Sequence, residues 1–186
     1  MAQAATRDQT FQRSEESRAF EAFWLSLRRD GLVPRRADFH PAGARQLLRD
    51  LVLVEAPRKG AERARIRVSG EGYNQVAGIN MRGRDHLDLL PDCYRAGAVA
   101  ASETMMDTPC GLWQISPIHL ARGYAVRLEM TAFPLRSDEG PDCILGHVRA
   151  TDGLTRASLP TPGGVAIDTA LVFRFLDIGA GSPDPN

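Results

Sequence analysis

Apolar and polar positions recur along this chain with two periods, and the switches between them mark out its elements. Phe20, Phe23, Trp24 and Leu27 fall at helical spacing and form one wide aromatic stripe. Ser14 stands where an N-cap belongs, Glu15 and Glu16 suit the positive start of a helix, and Arg28 and Arg29 suit its end before Gly31. Such a stripe must bury itself, either on its own sheet or on a second copy of the protein. Pro34 marks Leu32 to Asp38 as an extended crossing, and Pro41 opens a further helix to about Arg49 with Leu47 and Leu48 inward.

Period two then takes over. Leu51 to Glu55 is a continuous apolar run, the pattern of a central strand. From Arg63 to Val68, Arg63, Arg65 and Arg67 point one way and Ala64, Ile66 and Val68 the other, as in a strand with one buried face. A turn over 57–61 makes these two strands a hairpin. Glu71 to Ala77 reads as a short helix stopped by Gly78, and Gly83 precedes a second short element, Asp85 to Leu90. This glycine-punctuated stretch over 63–90 carries the backbone off a sheet and across one face, leaving room for a cavity beneath, which is taken as the seat of function.

A longer helix starts at Pro91-Asp92 and runs to about Met106, with Tyr94, Ala98, Ala101 and Met105 on one face and Pro109 closing it. Strands follow at Leu112–His119, Gly123–Leu135 and Cys143–Ala150. In the longest, Tyr124, Val126, Leu128 and Met130 share one face, with Ala125, Arg127, Glu129 and Thr131 opposite. Val165 to Leu176 fits both periods, and its β-branched and aromatic content tips it towards strand. The expected organisation is a disordered leader over 1–13, a helical cap and crossing over 14–50, an α+β core over 51–150, and an extension over 151–186. That extension carries one apolar element, 165–176, and a disordered tail.

Composition narrows the function. The chain has 186 residues, 43% of them hydrophobic, enough for one well-cored domain. Basic and acidic side chains balance at 23 each, so no overall field favours nucleic acid. Arg58, Lys59, Arg63, Arg65 and Arg67 form a basic edge, which reads as a guard against sheet-to-sheet pairing. Three scattered cysteines, Cys93, Cys110 and Cys143, make no disulfide framework. No run approaches the ~18 apolar residues of a membrane span and no signal peptide opens the chain, so a cytoplasmic location is expected. Gly70-Glu71-Gly72 lacks the third glycine of a dinucleotide fingerprint, since Gln75 stands there. Cys143 and His147 share a strand face, but two ligands do not make a zinc site, and no metal is expected. Neither a nucleophile elbow nor a phosphate loop occurs, and no enzyme is expected.

The order of elements, with Phe23-Trp24-Leu25-Ser26-Leu27-Arg28, Leu32-Val33-Pro34-Arg35-Arg36-Ala37-Asp38, Arg67-Val68-Ser69-Gly70 and Gly83 before Leu87-Asp88-Leu89-Leu90, resembles a PAS domain. More narrowly it is similar to a family of single-domain bacterial PAS-like proteins, over roughly residues 15–150. The resemblance implies a five-stranded antiparallel sheet of order 2-1-5-4-3, with short helices and one long helix over one face, and the N-terminal helix on the other face or against a partner. It implies a sensory role, in which a cavity holds a small molecule and the change is passed on by association. The cofactor stays unassigned: Asn80-Met81-Arg82 lacks the cysteine of a flavin photosensor, and residues 92–107 hold no histidine for haem. His86, just before the long helix, is a candidate axial ligand, but beside Asp85 and Asp88 it reads rather as a surface or capping residue.

Two readings follow. In the first, a small, largely apolar ligand sits among Tyr73, Val76, Met81, Leu87 and Leu90 from the short helices, Tyr94, Ala98 and Met105 from the long helix, and Trp113, Tyr124, Val126, Met130 and Leu145 from the sheet. The tyrosine hydroxyls and His147 orient it. In the second, the domain is an empty homodimerisation or adaptor module, with Phe20, Phe23, Trp24 and Leu27 as its interface.

Overall fold

The computed structural model describes residues 11–120, 124–151, 155–156 and 166–183, so most of the expected leader and parts of the C-terminal extension lie outside the described residues. One antiparallel sheet organises the rest. Its strands are β1 (Leu51–Glu55), β2 (Ile66–Ser69), β3 (Cys110–Leu120), β4 (Tyr124–Leu135), β5 (Cys143–Ala150), β6 (Thr155–Arg156), β7 (Ala166–Ile167) and β8 (Val172–Asp177). They lie in the order β2-β1-β5-β4-β3-β7, with β6 beside β4 and β8 beside β3. The five-strand expectation is therefore corrected: the run 2-1-5-4-3 is kept from the β2 edge, and the sheet is widened at β3 by β7 and β8 and beside β4 by β6. The apolar element at 165–176 is two edge strands, because Asp168 to Ala170 break the pairing between Ile118↔Ile167 and Ile115↔Val172.

Helix α1 (Glu15–Ser26) starts at Ser14, whose hydroxyl accepts from the Ser17 amide at 3.1 Å. It packs on one face of the sheet. The Ser17 and Thr131 hydroxyls meet at 2.6 Å, and Trp24 stacks on Phe133 at 4.8 Å while its Nε1 donates to the Pro134 carbonyl at 3.0 Å. Phe20 lies 5.6 Å from both Phe133 and His147. With Phe20 and Trp24 at 0% exposure, neither presents a surface to a second subunit, and Phe23 and Leu27 are half-buried on the same cluster.

The opposite face carries α2 (Glu71–Ala77) and α3 (Asp92–Asp107). Strand β1 is buried on both sides, which is why it reads as an unbroken apolar run: Leu51 and Leu53 face α1, Val52 and Val54 face the other helices. Strand β2 departs from its expected alternation. The register jumps from Leu53↔Val68 to Val54↔Ile66, leaving Arg67 as an extra residue that pairs with Glu55. This bulge turns Val68 away from the side of Ala64 and Ile66, and it ends 37% exposed.

Two short 3-10 turns, Pro41–Ala44 and Leu48–Asp50, replace the helix expected after Pro41, and Leu48 is exposed rather than inward. The constraint is Gly70, where an added Cβ would stand 2.2 Å from the Arg49 carbonyl oxygen and 2.5 Å from that of Leu48. Only glycine lets the junction between β2 and α2 pass that close to the 48–50 turn. The crossing at 32–38 is also less extended than expected: Arg36–Asp38 is a 3-10 turn, and Arg35 bridges to Arg136. In the expected tail, the amides of Gly179 and Gly181 donate to Asp177 Oδ1 at 2.7 and 2.9 Å, so the chain holds a defined turn there.

Candidate functional site

Between α3 and the sheet lies a cavity of about 420 Å³, within the ~300–1,000 Å³ range of small-molecule sites. Small side chains on facing surfaces create it. Helix α3 presents Gly97, Ala98 and Ala101, and the sheet answers with Ala132 and Gly146, which are paired across β4 and β5. A Cβ added to Gly97 would meet nothing within 4 Å. The walls are Val52 and Val54 of β1, Leu112 and Gln114 of β3, Met130 of β4, Val148 of β5 and Met105 of α3. His86, Leu87 and Leu90 close one side, and the β7–β8 segment closes another with Ile167, Thr169 and Phe173. The Tyr94 hydroxyl hydrogen-bonds the Thr169 hydroxyl, tying α3 to that segment.

The described lining is mostly apolar and carries no arginine or lysine. Its titratable members are few. Burial pushes the Tyr73 phenol well up, so it stays protonated. Burial also lowers the His86 pKa, against a smaller pull from Asp85, which favours a neutral ring. Asp168 at the rim is held in its charged form by the Thr169 amide, then by His119, whose Nε2 lies 3.1 Å from Oδ2. Ser102 and Ser116 line the cavity, and their hydroxyls are buried without a hydrogen-bond partner among the described residues.

Of the residues expected around a ligand, Tyr73, Leu87, Leu90, Tyr94, Ala98, Met105 and Met130 line this space. Others do not. Met81 and Val126 are packed into the core beside it, and Tyr124 is 45% exposed. Val76 lines a smaller hollow of about 260 Å³, which Arg49, Asp50 and Arg149 make polar. Trp113, Leu145 and His147 are corrected to the other face: register sets Trp113 opposite Thr131 and Thr131 opposite His147, all under α1. Trp113 Nε1 donates there to the buried Glu129 carboxylate at 2.7 Å, and Glu129 also accepts from the Ser14 amide. The roof is also displaced, since α3 covers the cavity and α2 contributes only Tyr73. His86, expected at the surface, is half-buried and faces the cavity. The sequence reading places Ala98 and Ala101 on this face; what it missed is Gly97 beside them and the small pair Ala132 and Gly146 opposite, which together leave the space open.

His147 has a consequence for stability. Burial lowers its folded pKa, reinforced by Arg149 and opposed by Asp50, Glu129 and Glu16. The unfolded chain, with a histidine pKa near about 6.5, takes up the proton first as pH falls. Stability is thus full above about pH 6.5 and is lost below it. Urea melts at about pH 7.5 and about pH 5.5 are expected to show a smaller acid loss for His147→Phe than for the wild type. Equal losses would place the sensitivity elsewhere.

The architecture defines an α+β domain in which an antiparallel sheet is covered by helices and encloses a small-molecule-sized space. The chain belongs to the PAS domain family, whose model matches residues 12–149. PAS domains are typically sensory and interaction modules rather than enzymes. No curated protein matches the chain. Among the described residues, no helix is long and apolar enough to cross a membrane, and no group of three or more histidine, cysteine, aspartate or glutamate residues is placed to hold a metal ion.

Proposed function

We propose that this PAS domain is a non-enzymatic sensor that binds a small, largely apolar ligand between α3 and the sheet, and passes occupancy on by association with another protein. The observation that carries the reading is the 420 Å³ cavity with its apolar walls. Burial of an apolar body there supplies affinity, at about 25 cal/mol per Å² removed from water. Output through association fits the interaction role of the family, and a second copy of the chain or a separate signalling protein both serve.

Filling the cavity tests the reading. Ala98 is half-buried on the cavity face of α3, so Ala98→Trp places an indole in the empty space. A thermal-shift and native mass-spectrometry screen is expected to find a ligand for the wild-type chain and none for Ala98→Trp, with the variant still folded. A wild-type chain that carries and takes up nothing would sink the sensing reading and leave an association module.

A further inference from the structure

Resting on that reading, we infer that the occupant is an uncharged amphiphile: an apolar body with a hydroxyl or carbonyl oxygen that hydrogen-bonds the side chains of Ser102 and Ser116. The two serines come from different elements, Ser102 from α3 and Ser116 from β3, and both line the same cavity. They are 2% and 1% exposed. Three buried side-chain polar atoms among the described residues lack a partner, and two of them are these hydroxyls; the third, Arg28 Nε, belongs to a side chain lying over Trp24 on the other side of the sheet. A buried hydroxyl without a partner costs about 1–3 kcal/mol, and native proteins keep few of them. Two such hydroxyls on residues that line one cavity are explained by a ligand oxygen that completes them once the serine side chains turn towards it. Each hydroxyl both donates and accepts, so an alcohol or a carbonyl group suits.

Charge sets the other limit. An anion entering this space finds no arginine or lysine among the described lining and meets the Asp168 carboxylate at the rim. A cation finds that carboxylate already engaged by His119 and by the Thr169 amide, at 3.1 and 2.7 Å. Burying either ion without a partner is costly, so a neutral head group is selected.

The test uses the full chain and four probes with the same carbon chain: octane, octanol, octanoate and octylammonium. Calorimetric titration is expected to rank octanol tightest, at least roughly threefold over octane, with both ions weaker still. Ser102→Ala and Ser116→Ala are each expected to lower the octanol-to-octane affinity ratio by roughly threefold to tenfold, and Ser116→Cys, which keeps the volume, to do the same. The ratio cancels any change in cavity shape that touches both probes. A ratio unmoved by the serine variants overturns the assignment while leaving a ligand-binding cavity intact. Octanoate or octylammonium binding as tightly as octanol overturns the neutral head group. Failure of all four probes to bind the wild type removes the cavity reading itself.

Discussion

Trp24→Ala is expected to lower the unfolding free energy by about 3–5 kcal/mol, the range for emptying a buried aromatic site. The indole is wholly buried, stacks on Phe133, and is the donor to the Pro134 carbonyl. It is also what holds α1 down. Beyond Trp24, the helix is fixed by Phe20 on Phe133 and His147 and by the Ser17–Thr131 hydroxyl pair. Trp24→Phe keeps a ring against Phe133 but loses the N–H donor and part of the buried indole volume, so it is expected to cost about 2–3 kcal/mol, less than the alanine variant. Urea denaturation followed by circular dichroism reads both. A loss below about 1 kcal/mol for Trp24→Ala would mean that α1 is peripheral to the folded unit. Octanol affinity is a second readout. Helix α1 covers the face opposite the cavity and supplies no lining residue, so an alanine variant that remains folded should retain binding.

That separation of faces marks the limit of what the sequence discloses. Parity within one strand is legible: Val126, Leu128 and Met130 do share the side facing α2 and α3, and Thr131 and Glu129 the side facing α1. Parity between strands is not, because it depends on register. Met130 pairs with Val148, which places His147 and Leu145 on the opposite side from Met130, although their apolar or aromatic character suits either. The same blindness applies to Trp113. Within β2 the period itself misleads, since one bulged residue, Arg67, reverses the facing of Val68. A helical stripe carries more information: Tyr94, Ala98, Ala101 and Met105 all reach the cavity, as their spacing on one face of α3 requires. The cavity was harder to place because it is made by side chains that are too small. Glycine and alanine carry no hydropathy signal strong enough to show where space remains.

Ending the chain after Thr151 is expected to abolish octanol binding. The family match stops at residue 149, but the cavity wall continues beyond it through Ile167, Thr169, Ala170 and Phe173. Strand β8 pairs with β3 from Cys110↔Asp177 to Ile115↔Val172, and β7 pairs Ile167 with Ile118, itself fully buried. Removal opens the cavity to water along the β3 edge and strips the apolar cover from its lining, so a ligand held by burial has little left to gain. It also exposes β3 as a free edge, so the shortened chain should unfold at lower urea and self-associate more readily. Two full-length variants separate loss of the wall from loss of stability. Tyr94→Phe removes only the hydroxyl that meets Thr169, and Phe173→Ala one wall side chain together with its ring contact to Phe175. Both should weaken octanol binding while the urea midpoint changes less than in the truncation. If the shortened chain folds and binds octanol as tightly as the full chain, the segment from 166 to 177 is a brace for the sheet edge, and the ligand is enclosed by the family core alone.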